Sequence, residues 1–266
     1  MAGGVDLPRQ AIVADWHVLP PAADHQPSLR CWWSRPALAV PVAGVVVLPE
    51  VFGVNGWVRS VADRLAGQGY AALAVPLFAR TAPDLSLGYD AAGLQEGRSH
   101  KERTTASQLL EDIGRGADWL AGQLASLSGP PEGGPSARLG CVGFCFGGHA
   151  ALLAATLPQF GATCDFYGAG VVSGRPGGGP PSLEDVPAIP GRLLCVVGSE
   201  DPLIPASDVV AIGAALEAAH PGGTEHHRLL VLPGGHGFMC EARAHYRAEA
   251  ASAGWQAMLE LFAETL

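Results

Sequence analysis

One segment restricts the fold more than any other: an apolar run that ends in Gly143-Phe144-Cys145-Phe146-Gly147-Gly148 and passes straight into an Ala/Leu-rich stretch. A strand that turns sharply into a helix, with glycines two residues either side of a reactive residue, is the nucleophile-elbow pattern, here with cysteine in place of serine. The backbone of the nucleophile in such a turn is strained, and Gly143 and Gly147 remove side chains where strand and helix come closest. The turn lifts the Cys145 sulfur above a sheet and aims a helix N-terminus at it, where the positive end of the dipole stabilises an anionic sulfur. The Phe146 amide is then placed to hold a developing oxyanion. The order G-F-C-F-G-G does not fit the dinucleotide fingerprint G-x-G-x-x-G. The bland rival is a Gly-rich turn around a buried thiol, and it predicts nothing further along the chain.

The elbow does predict something: an acid and then a histidine, each following a later strand. Asp201 lies 56 residues beyond Cys145, in Gly198-Ser199-Glu200-Asp201-Pro202 after an apolar strand. His236 lies 35 residues further on, in Pro233-Gly234-Gly235-His236-Gly237 after another. Asp201 can orient the imidazole while His236 shares a proton with Cys145. Taken singly, a loop Asp before Pro is a turn former and a His among glycines a surface residue. Three in the right order, each at a strand end, are hard to obtain by accident. Glu200 is the competitor for Asp201, and His220, His226 and His227, before or inside the last strand, are poor triad candidates.

The rest of the chain supplies the sheet. Strands are expected at 11–18, 29–33, 44–48, 71–75, 138–142, 162–167, 193–197 and 228–232. Helical patterns cover 57–68, 105–127, 146–157, 207–219 and 243–266. The first two strands precede any helix and suit an antiparallel edge. Several later strands are continuous apolar runs, as in a parallel sheet buried on both faces. The expected fold is α/β: a single domain over residues 1–266, with a mostly parallel central sheet flanked by helices. The Gly/Pro-dense stretches 128–136 and 174–190 are expected to be loops, and so is 81–103, which could wall a pocket beyond the strand ends.

Composition excludes other classes. A formal net charge of −9, with 16 basic against 25 acidic residues and no basic cluster, gives no means of neutralising nucleic-acid phosphates. No secretory leader pattern opens the chain, and no stretch approaches the ~20 apolar residues of a membrane span. The six cysteines are scattered without a CxxC, as expected for free thiols in a reducing, cytoplasmic compartment. Without close Cys/His spacing, no metal is expected.

The elbow, the block Val47-Leu48-Pro49-Glu50-Val51-Phe52-Gly53, the run Leu77-Phe78-Ala79-Arg80 and His236-Gly237-Phe238-Met239 together resemble the dienelactone hydrolase (carboxymethylenebutenolidase-like) family, from about residue 44 onward. The resemblance implies an α/β-hydrolase sheet, a Cys145–His236–Asp201 triad and no cofactor. It also implies that Glu50 hydrogen-bonds the resting thiol, that the Val51 amide is the second oxyanion donor, and that Arg80 clamps a substrate carboxylate. The chain departs from the family pattern at Cys240, where the best-known members carry a second arginine; the nearest here is Arg243. The expected activity is hydrolysis of a small ester or lactone through an acyl-thioenzyme, with no nucleic-acid or membrane partner. A thioesterase or general carboxylesterase with the same triad is the alternative, and a redox-sensing thiol protein is the alternative from another class.

Overall fold

The computed structural model describes residues 10–128, 139–222 and 226–266. Arg138, the expected first strand residue, and the expected loop from 129 onward lie outside the described residues. Eight strands form one sheet: β1 (Ile12–Leu19), β2 (Leu29–Pro36), β3 (Gly44–Leu48), β4 (Ala71–Ala74), β5 (Leu139–Phe144), β6 (Phe160–Phe166), β7 (Arg192–Gly198) and β8 (His227–Leu232). Their order is β1-β2-β4-β3-β5-β6-β7-β8. From β4 to β8 all neighbours run parallel, while β1 and β2 add the antiparallel edge. Exposure alternates along most of β1, whereas β3, β5 and β6 are buried at every residue.

Six helices cover the sheet: α1 (Gly56–Gly67), α2 (Ala91–Lys101), α3 (Ala106–Ser128), α4 (Phe146–Ala154), α5 (Ala206–Ala219) and α6 (Ala248–Thr265). The two-residue period of a strand divides the core. Val45, Val47, Val142 and Phe144 pack with residues of α1 and α6, and Val46, Leu48, Leu139 and Cys141 pack with α3. Fully burying a side chain such as Val58 or Leu65 on α1 stabilises the fold by about 1.5–3 kcal/mol.

Strand order places the site. From β3 the chain steps to β4 on one side, then returns past β3 to lay β5 on the other. The crevice beyond the carboxyl ends of β3 and β5 is the topological switch point, where open α/β sheets bind ligands. Glu50 and Val51 follow β3, and Cys145 and Phe146 follow β5.

Three expectations need correcting. The stretch 81–103 is not all loop, because it contains α2, capped by the Asp90 side chain accepting from the Gly93 amide at 2.7 Å. The buried residues of α2 are Gly93, Gly97 and His100, so no apolar periodicity betrays it. Gly97 is required: a Cβ there would strike the Val51 carbonyl, so α2 lies directly on the turn after β3. The stretch 174–190 contains a 3-10 helix at Ser182–Ala188. Finally, α6 begins at Ala248 rather than at 243, and residues 240–247 form turns that free Arg243 to point elsewhere.

Candidate active site

Cys145 joins β5 to α4 with φ 56° and ψ −118°, in the left-handed region that non-glycine residues avoid. The strain is held in place from both sides. The Cys145 amide donates to the Phe166 carbonyl at 3.0 Å, and its carbonyl accepts from the His149 amide at 3.1 Å. A Cβ at Gly143 would fall on the Gly147 carbonyl, and one at Gly147 on the carbonyls of Leu48 and Pro49. Any larger residue at either position would push the turn apart. All six cysteines are free, and Cys145 is the one that is not buried. Burial pushes the Cys31, Cys141, Cys164, Cys195 and Cys240 thiols up, Cys240 to about 11.

Asp201 and His236 meet as the sequence implies. Asp201 has no side-chain exposure; its Oδ1 accepts from the Leu203 amide at 2.8 Å and its Oδ2 lies 2.8 Å from His236 Nδ1. Glu200, the competitor, is exposed. An Nδ1–H donated to Asp201 leaves Nε2 as the working nitrogen. Nε2 is buried and makes no hydrogen bond of full geometry, but the Cys145 sulfur is close enough to interact with the ring. Burial opposes charge on His236. Hydrogen bonding to Asp201 and Cys145, and the negative charge of each, outweigh burial and push the imidazole up to about 10. The geometry is that of a loose nucleophile–base pair with the base fixed from behind.

Sequence reasoning missed Tyr167, which is wholly buried beneath this row. It has φ 44°, and its ring centroid lies 5.2 Å from that of His236. Only its position at the end of β6, in register with the other strand ends, could have pointed to it.

The amides of Phe146 and Val51, expected to hold an oxyanion, are both without a backbone acceptor among the described residues. Phe146 is the first residue of α4, so its amide has no acceptor within the helix. The Val51 amide donates to no acceptor among the described residues.

Glu50 is fully buried rather than solvated at the strand end. Its Oε1 accepts from Arg243 Nη1 at 2.7 Å, and its Oε2 has no hydrogen bond of full geometry. Burial pushes the Glu50 carboxyl up, against the pull of Arg243, His236 and Tyr89. Arg243 arrives over Gly237, where a Cβ would meet its Nη1 at 2.5 Å, and lies 5.8–5.9 Å from the Phe52 and Tyr89 rings. Arg243, three residues beyond Cys240, thus brings a guanidinium to Glu50.

Arg80 goes elsewhere. Its Nε and Nη2 donate to Asp112 at 3.1 and 3.0 Å, Nη2 also to Glu111, and Nη1 to the His25 carbonyl at 3.3 Å. All three nitrogens are engaged by α3 and the turn before β2, and none reaches the Cys145 cluster. Two acids of the stretch that follows it are taken up elsewhere: Asp84 pairs with Arg30 and Asp90 caps α2. Trp57 is a core residue, with its ring on Phe144 and its Nε1 on Glu241 at 2.6 Å, while Tyr89 does reach the Glu50 side.

The model of the dienelactone hydrolase family matches residues 29–266. The chain belongs to that family. Among curated relatives, a Synechocystis sp. protein provisionally named carboxymethylenebutenolidase is 38% identical over 231 residues, covering 85% of this chain and 89% of the relative. The crystal structure of a provisionally assigned dienelactone hydrolase from Klebsiella pneumoniae subsp. pneumoniae superposes with a TM-score of 0.80 at 29% identity, over 96% of this chain and 100% of that one. A dienelactone hydrolase-like promiscuous phosphotriesterase from metagenomic libraries does so with a TM-score of 0.67 at 25% identity, over 96% and 99%. This dienelactone hydrolase family member is therefore a hydrolase with the expected α/β fold. No described helix is long and apolar enough to cross a membrane.

Proposed function

We propose that the chain hydrolyses a small ester or lactone through an acyl-thioenzyme on Cys145. The observation that carries this reading is the buried Asp201–His236 pair, at 2.8 Å, with the imidazole held protonated beside the one accessible thiol. In the first half-reaction Glu50 takes the proton of the Cys145 thiol, the thiolate attacks the carbonyl carbon, and the amides of Phe146 and Val51 hold the oxyanion. As the tetrahedral intermediate collapses, the C–O bond breaks and His236 gives its proton to the leaving oxygen. In the second, His236 takes a proton from water, the hydroxide attacks the thioester, and the sulfur leaves as a thiolate that regains its proton from Glu50.

Glu50 and Arg243 supply selectivity in this proposal. Oε2 of Glu50 is the oxygen free to meet the resting thiol, and Arg243 is the cation that a substrate carboxylate would take from Glu50. Arg80 would have to abandon Asp112 and Glu111 to do the same. Six free cysteines suit a reducing compartment such as the cytoplasm. The test is turnover of small lactones, aryl esters and thioesters, with and without a substrate carboxylate, by wild type and Cys145→Ala. Mass spectrometry of the quenched reaction should find the acyl group on Cys145. Turnover that survives in the variant, or an acyl group on another residue, overturns the mechanism.

A further inference from the structure

His220 ends α5, and His226 and His227 open β8. Eight positions of sequence span all three, and their rings lie against one another. Their ring centroids lie 3.9, 4.5 and 4.8 Å apart. One ring nitrogen from each lies within 4.8 Å of the other two, the one such group of potential metal ligands among the described residues. From the geometry we infer that this cluster binds one late first-row divalent cation, Zn2+ in the first instance, and thereby ties the end of α5 to the start of β8.

Several observations support the site. His227 is 5% exposed, yet neither of its ring nitrogens makes a hydrogen bond of full geometry. A buried imidazole without a well-formed hydrogen bond is costly, and a cation aligned with its lone pair removes the cost. Three imidazoles are a donor set that suits Zn2+, Ni2+ and Cu2+ and does not suit Ca2+ or Mg2+. Tetrahedral Zn2+ with Zn–N of about 2.0–2.1 Å places its ligands about 3.3 Å apart, so the rings need draw in by at most about 1.5 Å. His220 and His226 are only partly buried. Arg192, whose charge opposes a proton on His226, is paired with Glu264 at 2.9 Å.

The cluster is not part of the catalytic row. It lies at the start of β8, whereas His236 follows the end of that strand, on the order of 15 Å away along the sheet. The expectation of no metal rests on the lack of close Cys/His spacing, and His-x5-His-His shows its three rings as one cluster only in the fold.

The test uses the full chain carrying Cys145→Ala, so that no thiolate at the catalytic site competes for the metal. After chelator treatment and dialysis, Zn2+ is titrated by calorimetry, and Co2+ is followed by its visible ligand-field bands. One equivalent should bind, and the melting temperature should rise with Zn2+. His220→Gln and His226→Gln, both at partly exposed positions that folding tolerates, should each weaken binding by about tenfold or more and abolish the thermal shift. His227→Gln should do the same if it folds. Stoichiometric Zn2+ binding that is indifferent to His220→Gln and His226→Gln, or the absence of binding and thermal shift in the Cys145→Ala chain, overturns the inference.

Discussion

Two arginines in this molecule are each held by buried carboxylates, and their surroundings differ in one respect that decides their roles. Around Arg80 every side-chain nitrogen has an acceptor, and Asp112 receives a second arginine, Arg115, at 3.4 Å. That cluster is closed, and it braces α3 against the turn before β2. Around Arg243 the account is incomplete: one nitrogen bonds Glu50, and Glu50 keeps a buried oxygen without a partner beside the catalytic histidine. A closed ion-pair network holds a fold together. A half-satisfied pair at the mouth of an active site can be exchanged for a substrate, because the incoming carboxylate replaces one pairing with another.

The comparison presupposes chemistry at Cys145, and the largest expected effect tests that premise. Cys145→Ala should abolish turnover with the fold intact, since the sulfur is the only group that bonds to substrate. Retention of more than about a thousandth of the wild-type rate would be explained by the 10²–10⁴ that positioned acid–base groups supply and would leave no covalent role. His236→Ala should lower turnover by about 10²–10⁴, and Glu200→Gln should be nearly silent.

Asp201→Asn comes next and has a pH signature. In wild type the folded state holds the His236 proton, with the imidazole raised from its usual 6.5 to about 10. A raised histidine contributes stability that is complete below the unfolded value and lost as pH rises toward the folded one. Stability measured by denaturant should therefore decline between pH 6.5 and 10, and the proton-donating limb of the rate profile should fall in the same window. Without the Asp201 charge, both declines should begin at lower pH. Curves of wild type and variant that coincide would remove Asp201 from the row.

Arg243→Ala and Arg80→Ala then break the comparison directly. A lost charge-assisted contact is worth about 1.5–3 kcal/mol, roughly ten- to a hundred-fold in affinity. Arg243→Ala should raise KM by that factor for substrates bearing a carboxylate and far less for neutral esters. Arg80→Ala should leave the ratio of the two KM values unchanged and lower thermal stability instead, because Asp112 loses two hydrogen bonds. The reverse pattern would return the clamp to Arg80.

The contrast between the arginines also shows what a sequence can disclose. Cys145, Asp201 and His236 were legible because local pattern fixes each one: an elbow whose glycines have a steric reason, and two strand-end loops. The parallel strands were legible because runs such as Gly44–Leu48 have no alternation to mislead. Arg80 was misread because a position shortly after β4 does not say which way five rotatable bonds will point. Arg243 stands in the sequence only as the nearest arginine, because its arrival at Glu50 depends on the 240–247 turns and on the bare backbone at Gly237. The helix α2 stayed hidden because its packing face is glycine, so close approach rather than apolar burial explains it.

Glu50 yields the smallest expected effect and the most discriminating one. Glu50→Gln keeps shape and burial while removing the negative charge, so Arg243 loses its partner and, in the proposed arrangement, the Cys145 sulfur loses an anionic neighbour. Less repulsion favours thiolate, so alkylation of Cys145 by iodoacetamide near neutral pH should quicken a few-fold, and peroxide inactivation should quicken with it. The Cys145→Ala chain subtracts the other five cysteines, all buried. The same variant leaves Arg243 free for a substrate carboxylate, so KM for acidic substrates should fall even if kcat does not rise. The two readouts separate the roles assigned to Glu50. Faster alkylation with an unchanged KM would mean that Glu50 guards the thiol but does not compete with substrate for Arg243. A lower KM with an unchanged alkylation rate would mean that Glu50 occupies Arg243 without touching the sulfur. If neither moves, the Glu50–Arg243 pair is a structural brace like the one around Arg80, and the difference between the two arginines disappears.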